Sequence, residues 1–115
     1  MKAKPFDLLE RTYEFASEVR ALVRNFNYNV QNVEDGKQVV RSSGSVAANY
    51  IEANENLGEK DFIYRIRICR KEAKESVLWL KLLKENNLQN LEFNSLIDEA
   101  NQLKLIFNSI INKRT

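Results

Sequence analysis

Residues 41–69 read RSSGSVAANYIEANENLGEKDFIYRIRIC, and the glycine at position 58 divides them into two different textures. Before it, Val39, Ser43, Val46, Tyr50 and Leu57 recur at helical spacing; after it, Phe62, Ile66, Cys69, Ala73, Val77 and Leu80 do the same. Glycine adopts the left-handed backbone of a helix C′ position at little cost, so Gly58 is expected to end the first helix. The next stripe begins within a residue or two, which leaves room only for an antiparallel hairpin. The small side chains also carry a packing argument. Ser43 and Ala47 let bundle helices approach closely, while Ser45 and Ala48 leave room on the opposite side for Trp79 or another subunit. A mid-helix glycine costs about 1 kcal/mol relative to alanine. Gly44 is therefore expected where the helix is enclosed and a leucine would clash.

The same periodicity extends outward. Leu8, Phe15 and Leu22 repeat every seven residues, flanked by Leu9, Tyr13, Ala16 and Val23, with Pro5 at a position suited to a helix start. NFNYNVQN (25–32) interrupts the pattern, and Asn32 is the expected N-cap of the next helix, with Glu34 and Asp35 favourably placed at its positive end. ENNLQN (85–90) interrupts it again before Phe93, Leu96, Ile97, Ala100, Leu103, Phe107 and Ile110. The reading is all-α: one domain over residues 1–115, an antiparallel up-down-up-down four-helix bundle with helices at about 6–26, 33–57, 60–86 and 91–112.

Composition narrows the function. With 43% hydrophobic and 30% charged residues in 115, the chain reads as soluble and globular. No apolar run is long enough to span a bilayer, and MKAKPFDLLER lacks the apolar segment of a secretion signal. A single cysteine, Cys69, forms no internal disulfide and suits a reducing cytoplasm. There is no histidine, which removes His-based general bases, Ser-His and Cys-His nucleophile pairs and most transition-metal sites. Glu52 and Glu55 offer carboxylates without the Glu-x-x-His pattern of a di-iron bundle, and no glycine-rich phosphate loop is present. Cys69 lies on a core stripe, where a thiol packs rather than reacts. No enzyme, metal or cofactor is expected.

Charge is unevenly distributed. Residues 60–84 carry 8 basic and 3 acidic side chains, whereas 1–59 carry 7 and 9. Within the basic segment, Lys60, Arg67, Lys74 and Lys81 recur every seven residues. They drift only about 20° per step on an ideal helix. Arg70 and Lys71 flank them. Such a ridge suits a phosphate backbone, and it equally describes the wet face of an amphipathic helix. A second face carries Tyr64, Ile68, Glu75, Trp79 and Leu82, with Arg41, Ser45, Ala48 and Glu52 on the preceding helix. A hairpin turning at Gly58 pairs Arg41 with Glu75 or Glu72, and Glu52 with Arg65. This face is read as a subunit interface; the alternative is a Trp79 covered by a chain terminus, with solvated charges around it.

The segment 41–83 resembles the signature of the 23S ribosomal RNA intervening-sequence proteins. The matching positions are Arg41, Ser42, Ser45, Val46, Asn49 and Glu52, then Phe62, Ile68, Lys71, Glu72, Ala73, Glu75, Trp79 and Leu82. FDLLERTYEFASEV (6–19) is also similar, and Ala53 stands where many members have glycine. That family is similar in turn to the accessory proteins of diversity-generating retroelements. The resemblance implies a bacterial, cytoplasmic homo-oligomer, a ring of five bundles, that binds RNA or DNA. In the retroelement branch it also implies a reverse transcriptase as partner, so a protein-interaction adaptor stands as the alternative reading.

Overall fold

A computed structural model describes residues 7–114 as four helices: α1 (Leu8–Arg24), α2 (Val30–Asn54), α3 (Glu59–Glu85) and α4 (Phe93–Arg114). They form the antiparallel four-helix bundle. Pro5 and the expected helix start at residue 6 lie outside the described residues; α1 is capped by Asp7, whose Oδ1 accepts from the Leu9 N–H at 2.9 Å. α2 packs on α1 and α3, α3 packs on α4, and α1 meets α4 only narrowly. That thin seam is held by Arg11, whose Nε and Nη2 each donate to Glu99 at 2.8 Å.

The core fills from all four helices: Phe15, Val19 and Leu22; Val39 and Val46; Ile66, Ala73 and Leu80; Phe93, Leu103 and Phe107. Its α2–α3 seam is partly polar. Ser42 and Ser76 are fully buried with their hydroxyls 2.7 Å apart, and Ser76 donates onward to the Glu72 carbonyl. The Cys69 thiol points at the Val46 carbonyl at 3.5 Å, and burial pushes it up to about 12, so it stays protonated and inert.

The hairpin turn departs from expectation. Helix α2 ends at Asn54 rather than near Leu57, which lies in the turn and is 95% exposed. Gly58 instead precedes α3 with φ 140°, a backbone that favours glycine, while Asp61 reaches back to accept from the Leu57 N–H. At the other end of α2 the cap is Asn29, not Asn32. Asn32 is buried one turn inside and trades amide hydrogen bonds with Asn87 at 2.8 and 3.2 Å, clamping the α1–α2 and α3–α4 loops together. Leu9 and Tyr13, expected on a packed flank of α1, are exposed because neither neighbour of that helix reaches them.

Gly44 faces away from the core. A side chain there meets the guanidinium of Arg20, which bonds the Ala16 and Val40 carbonyls and ties α1 to α2. Gly36 is the enclosed glycine: an added Cβ lies 3.3 Å from Val23 Cγ1. Gly44→Ala is expected to raise stability by up to about 1 kcal/mol, because a flexible guanidinium can yield to it. Gly36→Leu should cost roughly 1–3 kcal/mol by overpacking. Urea denaturation of both variants checks this contrast, and equal effects would contradict it.

Candidate nucleic-acid and assembly surfaces

Helical spacing places the basic side chains of α3 along its α4-facing edge and outer surface. Four of them, Arg67, Arg70, Lys71 and Lys74, line a groove of about 500 Å³ together with Lys104, Leu105 and Asn108 of α4. No carboxylate lines it. Arg70 is held in position by donating from Nη1 to Asn108 Oδ1 at 2.8 Å. Lys60 and Lys81 are exposed on α3 but lie beyond the groove. The single-helix ridge is therefore one wall of a two-helix groove. Lys104 and Asn108 completed it unforeseen, since an isolated lysine on α4 has no sequence neighbour of like charge to mark it.

The second surface lies on the outer side of α2 and α3. Arg41 Nη1 donates to Glu72 Oε2 at 2.8 Å, with Nη2 to Oε1 at 3.4 Å. The expected pair between Glu52 and Arg65 is not formed. Arg65 Nη1 donates to Asn49 Oδ1 at 3.2 Å, its Nε lies 3.8 Å from Asp61 Oδ1, and Glu52 is exposed. One cause explains both outcomes. The hairpin turns about residues 55–58 rather than at Gly58, which shifts the levels by about one helical turn, so Arg41 meets Glu72 and Arg65 meets Asn49.

Asn49 Nδ2 also donates to the hydroxyl and carbonyl of Ser45, and Ala48 stays exposed beside them. Ile68, Glu75 and Trp79 are half-buried, Tyr64 is 59% exposed and Leu82 38%. The Trp79 Nε1 and Arg65 Nε atoms are buried without a hydrogen-bond partner. Unpaired buried donors carry a desolvation cost, so these two are polar loose ends of this face.

Burial is the largest influence on the Glu72 carboxyl and pushes it up, yet the hydrogen bonds of Arg41, Glu75 and Ser45 bring it down to about 2. Glu75 is raised, chiefly by its hydrogen bond with Glu72. Among the described residues, no group of three His, Cys, Asp or Glu side chains is placed to hold a metal, and no helix is long and apolar enough to cross a membrane.

An antiparallel all-α bundle with one cationic groove and one partly apolar, ion-paired outer face is the structural class of this chain. The chain belongs to the 23S rRNA-intervening sequence protein family, whose family model matches residues 4–109. A crystal structure of a protein of unknown function from the S23 ribosomal protein family of Bacteroides thetaiotaomicron shares 28% identity and superposes with a TM-score of 0.79. The match covers 91% of this chain and 98% of that one. No curated protein matches.

A depressed carboxyl stabilises the fold fully above its ordinary range, and the contribution fades as pH falls towards about 2. Arg41→Ala should remove most of that contribution and raise Glu72, leaving stability flatter between about pH 4.5 and 2. Denaturation midpoints across that range, with an NMR titration of Glu72, provide the check.

Proposed function

We propose that this protein is a non-enzymatic, homo-oligomeric scaffold that binds RNA along the α3–α4 groove. The observation that carries the reading is the groove itself: five cationic side chains from two helices, with no acidic group lining it. A groove of this kind suits a phosphate backbone, because nucleic-acid affinity rests largely on Lys and Arg displacing counterions. RNA is taken as the ligand on the family resemblance, and the groove itself would accept the phosphates of RNA or DNA alike.

The outer face supports the oligomer. Tyr64, Ile68, Trp79 and Leu82 are spaced along the outer side of α3, and such an apolar stripe suits a desolvated contact with another copy. The ring of five follows the family resemblance, as does a bacterial cytoplasmic setting, and the single buried thiol is compatible with that setting. Assembly would repeat the groove around the ring and multiply its avidity. The adaptor reading assigns the charged ridge instead to contacts with a partner protein such as a reverse transcriptase, or to solubility only.

A combined Arg67→Glu, Lys74→Glu and Lys104→Glu variant should lose at least about a hundredfold in affinity for a structured RNA at 0.1 M salt, with a shallower salt dependence. Unchanged affinity in a folded variant would rule out the groove. Separately, Leu82→Arg is expected to convert the oligomer to monomers in sedimentation velocity. A monomeric parent protein would remove the assembly half of the reading.

A further inference from the structure

The α1–α2 and α3–α4 loops meet at one end of the bundle, joined by the Asn32–Asn87 hydrogen bonds. Residues 25–33 and 86–91 contain no charged side chain, in a chain of which 30% is charged. Between the loops lies a cavity of about 410 Å³ lined chiefly by Phe26, Asn27, Asn87, Gln89, Asn90 and Leu91. Of its amides, Asn25 donates to the Ala21 carbonyl, and the others divide into two groups. Asn87 is consumed by the buried clamp, donating to Asn32 Oδ1 and the Leu83 carbonyl. The Asn27 and Gln89 side-chain amides have no hydrogen-bond partner among the described residues, and Asn90 uses only its Oδ1, which accepts from the Glu92 N–H. Tyr28, next to Asn27, borders the neighbouring hollow between α1 and α2 rather than the cavity itself, and presents its ring to solvent at 91% exposure.

We propose that this uncharged end holds unpaired nucleobases of a strand whose phosphates lie along the α3–α4 groove. The proposal rests on the nucleic-acid reading of that groove and names what the rest of the ligand must offer. An amide presents a donor and an acceptor side by side, the pattern that matches the edge of a base such as adenine. An exposed aromatic ring is the platform on which single-stranded bases stack. The one charged residue lining the cavity is Glu92, a carboxylate. It disfavours a phosphate there and accepts from a base amino group. Base and backbone are thus sorted by sign: phosphates to the cationic groove, bases to the amide-lined cavity, which has no cation among its lining residues. Lys81 and Lys84 continue the cationic track between them, and Lys84 is held by its 2.6 Å bond to Asn94 Oδ1. From Lys74 to Asn87 the helix and its end cover about 20 Å, a span that a few nucleotides bridge.

Fluorescence anisotropy with three probes tests it: a 20-nucleotide adenine-rich RNA strand, a strand of the same length lacking bases, and the RNA as a duplex. The protein as it stands should bind the base-bearing strand roughly tenfold tighter than the abasic one. A combined Tyr28→Ala, Asn27→Ala and Gln89→Ala variant should erase that preference, leaving salt dependence and duplex affinity unchanged; all three side chains lie at the surface, outside the clamp. Equal affinity for the base-bearing and abasic strands would overturn the base pocket while leaving the groove standing, and would assign the end to a protein partner instead. A preference that survives in the variant would place base recognition elsewhere and also overturn the proposal. Failure of the groove itself has a different signature, since no probe would then bind in a salt-dependent way, and both readings would fall.

Discussion

The hydrogen bond between Ser42 and Ser76 is the constraint around which the bundle is arranged. Two hydroxyls 2.7 Å apart and fully buried require the α2 and α3 backbones to lie close together, and only small residues permit this. That approach makes α2 and α3 the most extensively packed pair of helices. It sets Val46 against Cys69 within the core and Arg41 against Glu72 at its edge. Burying polar groups is tolerated here because each serine finds a partner, Ser76 reaching both Ser42 and the Glu72 carbonyl. Helix α4 then packs on the free side of α3, while α1 rests on α2 and touches α4 mainly through the Arg11–Glu99 fork.

This arrangement separates three surfaces by chemistry. α3 contributes to two of them from opposite flanks: cations towards α4, and Trp79 with its ion-paired neighbours on the outer side shared with α2. The loops at one end supply the third, uncharged and rich in amides. A lone bundle needs one apolar face per helix, and the extra apolar side chains on α3 are what the proposed contact with another copy rests on. The unpartnered Trp79 Nε1 belongs to the same surface. Ion pairs such as Arg41–Glu72 set the geometry of that surface more than its stability, since a partly exposed pair contributes modestly.

Most of the fold was legible because hydrophobic period is a local property. Val39, Val46, Ile66, Ala73, Leu80, Leu103 and Phe107 all fall in the core where their spacing puts them. Errors clustered where local rules compete. Asn32 has the residue type of a cap, but Asn29 caps better from three residues earlier and frees Asn32 to join Asn87 across the bundle. Gly58 has the conformation of a helix stop, yet it serves the start of the next helix. Gly44 resembles a close-packing residue, yet what it faces is the flexible guanidinium of Arg20, whereas Gly36, unremarked by any stripe, meets the apolar side chain of Val23.

The sequence by itself determined four helices, their order, their antiparallel hairpin and a strongly cationic α3, because each depends on spacing along one segment of chain. Only the tertiary structure decided what those charges face. Lys104 and Asn108 join the groove through the packing angle of α4 on α3, and Arg65 meets Asn49 rather than Glu52 because the turn sits a few residues early. Likewise, two asparagine-rich loops become one amide-lined cavity only when the bundle closes and the buried Asn32–Asn87 contact holds them together. Periodicity is written into each helix separately; the meeting of side chains from different helices depends on how those helices pack.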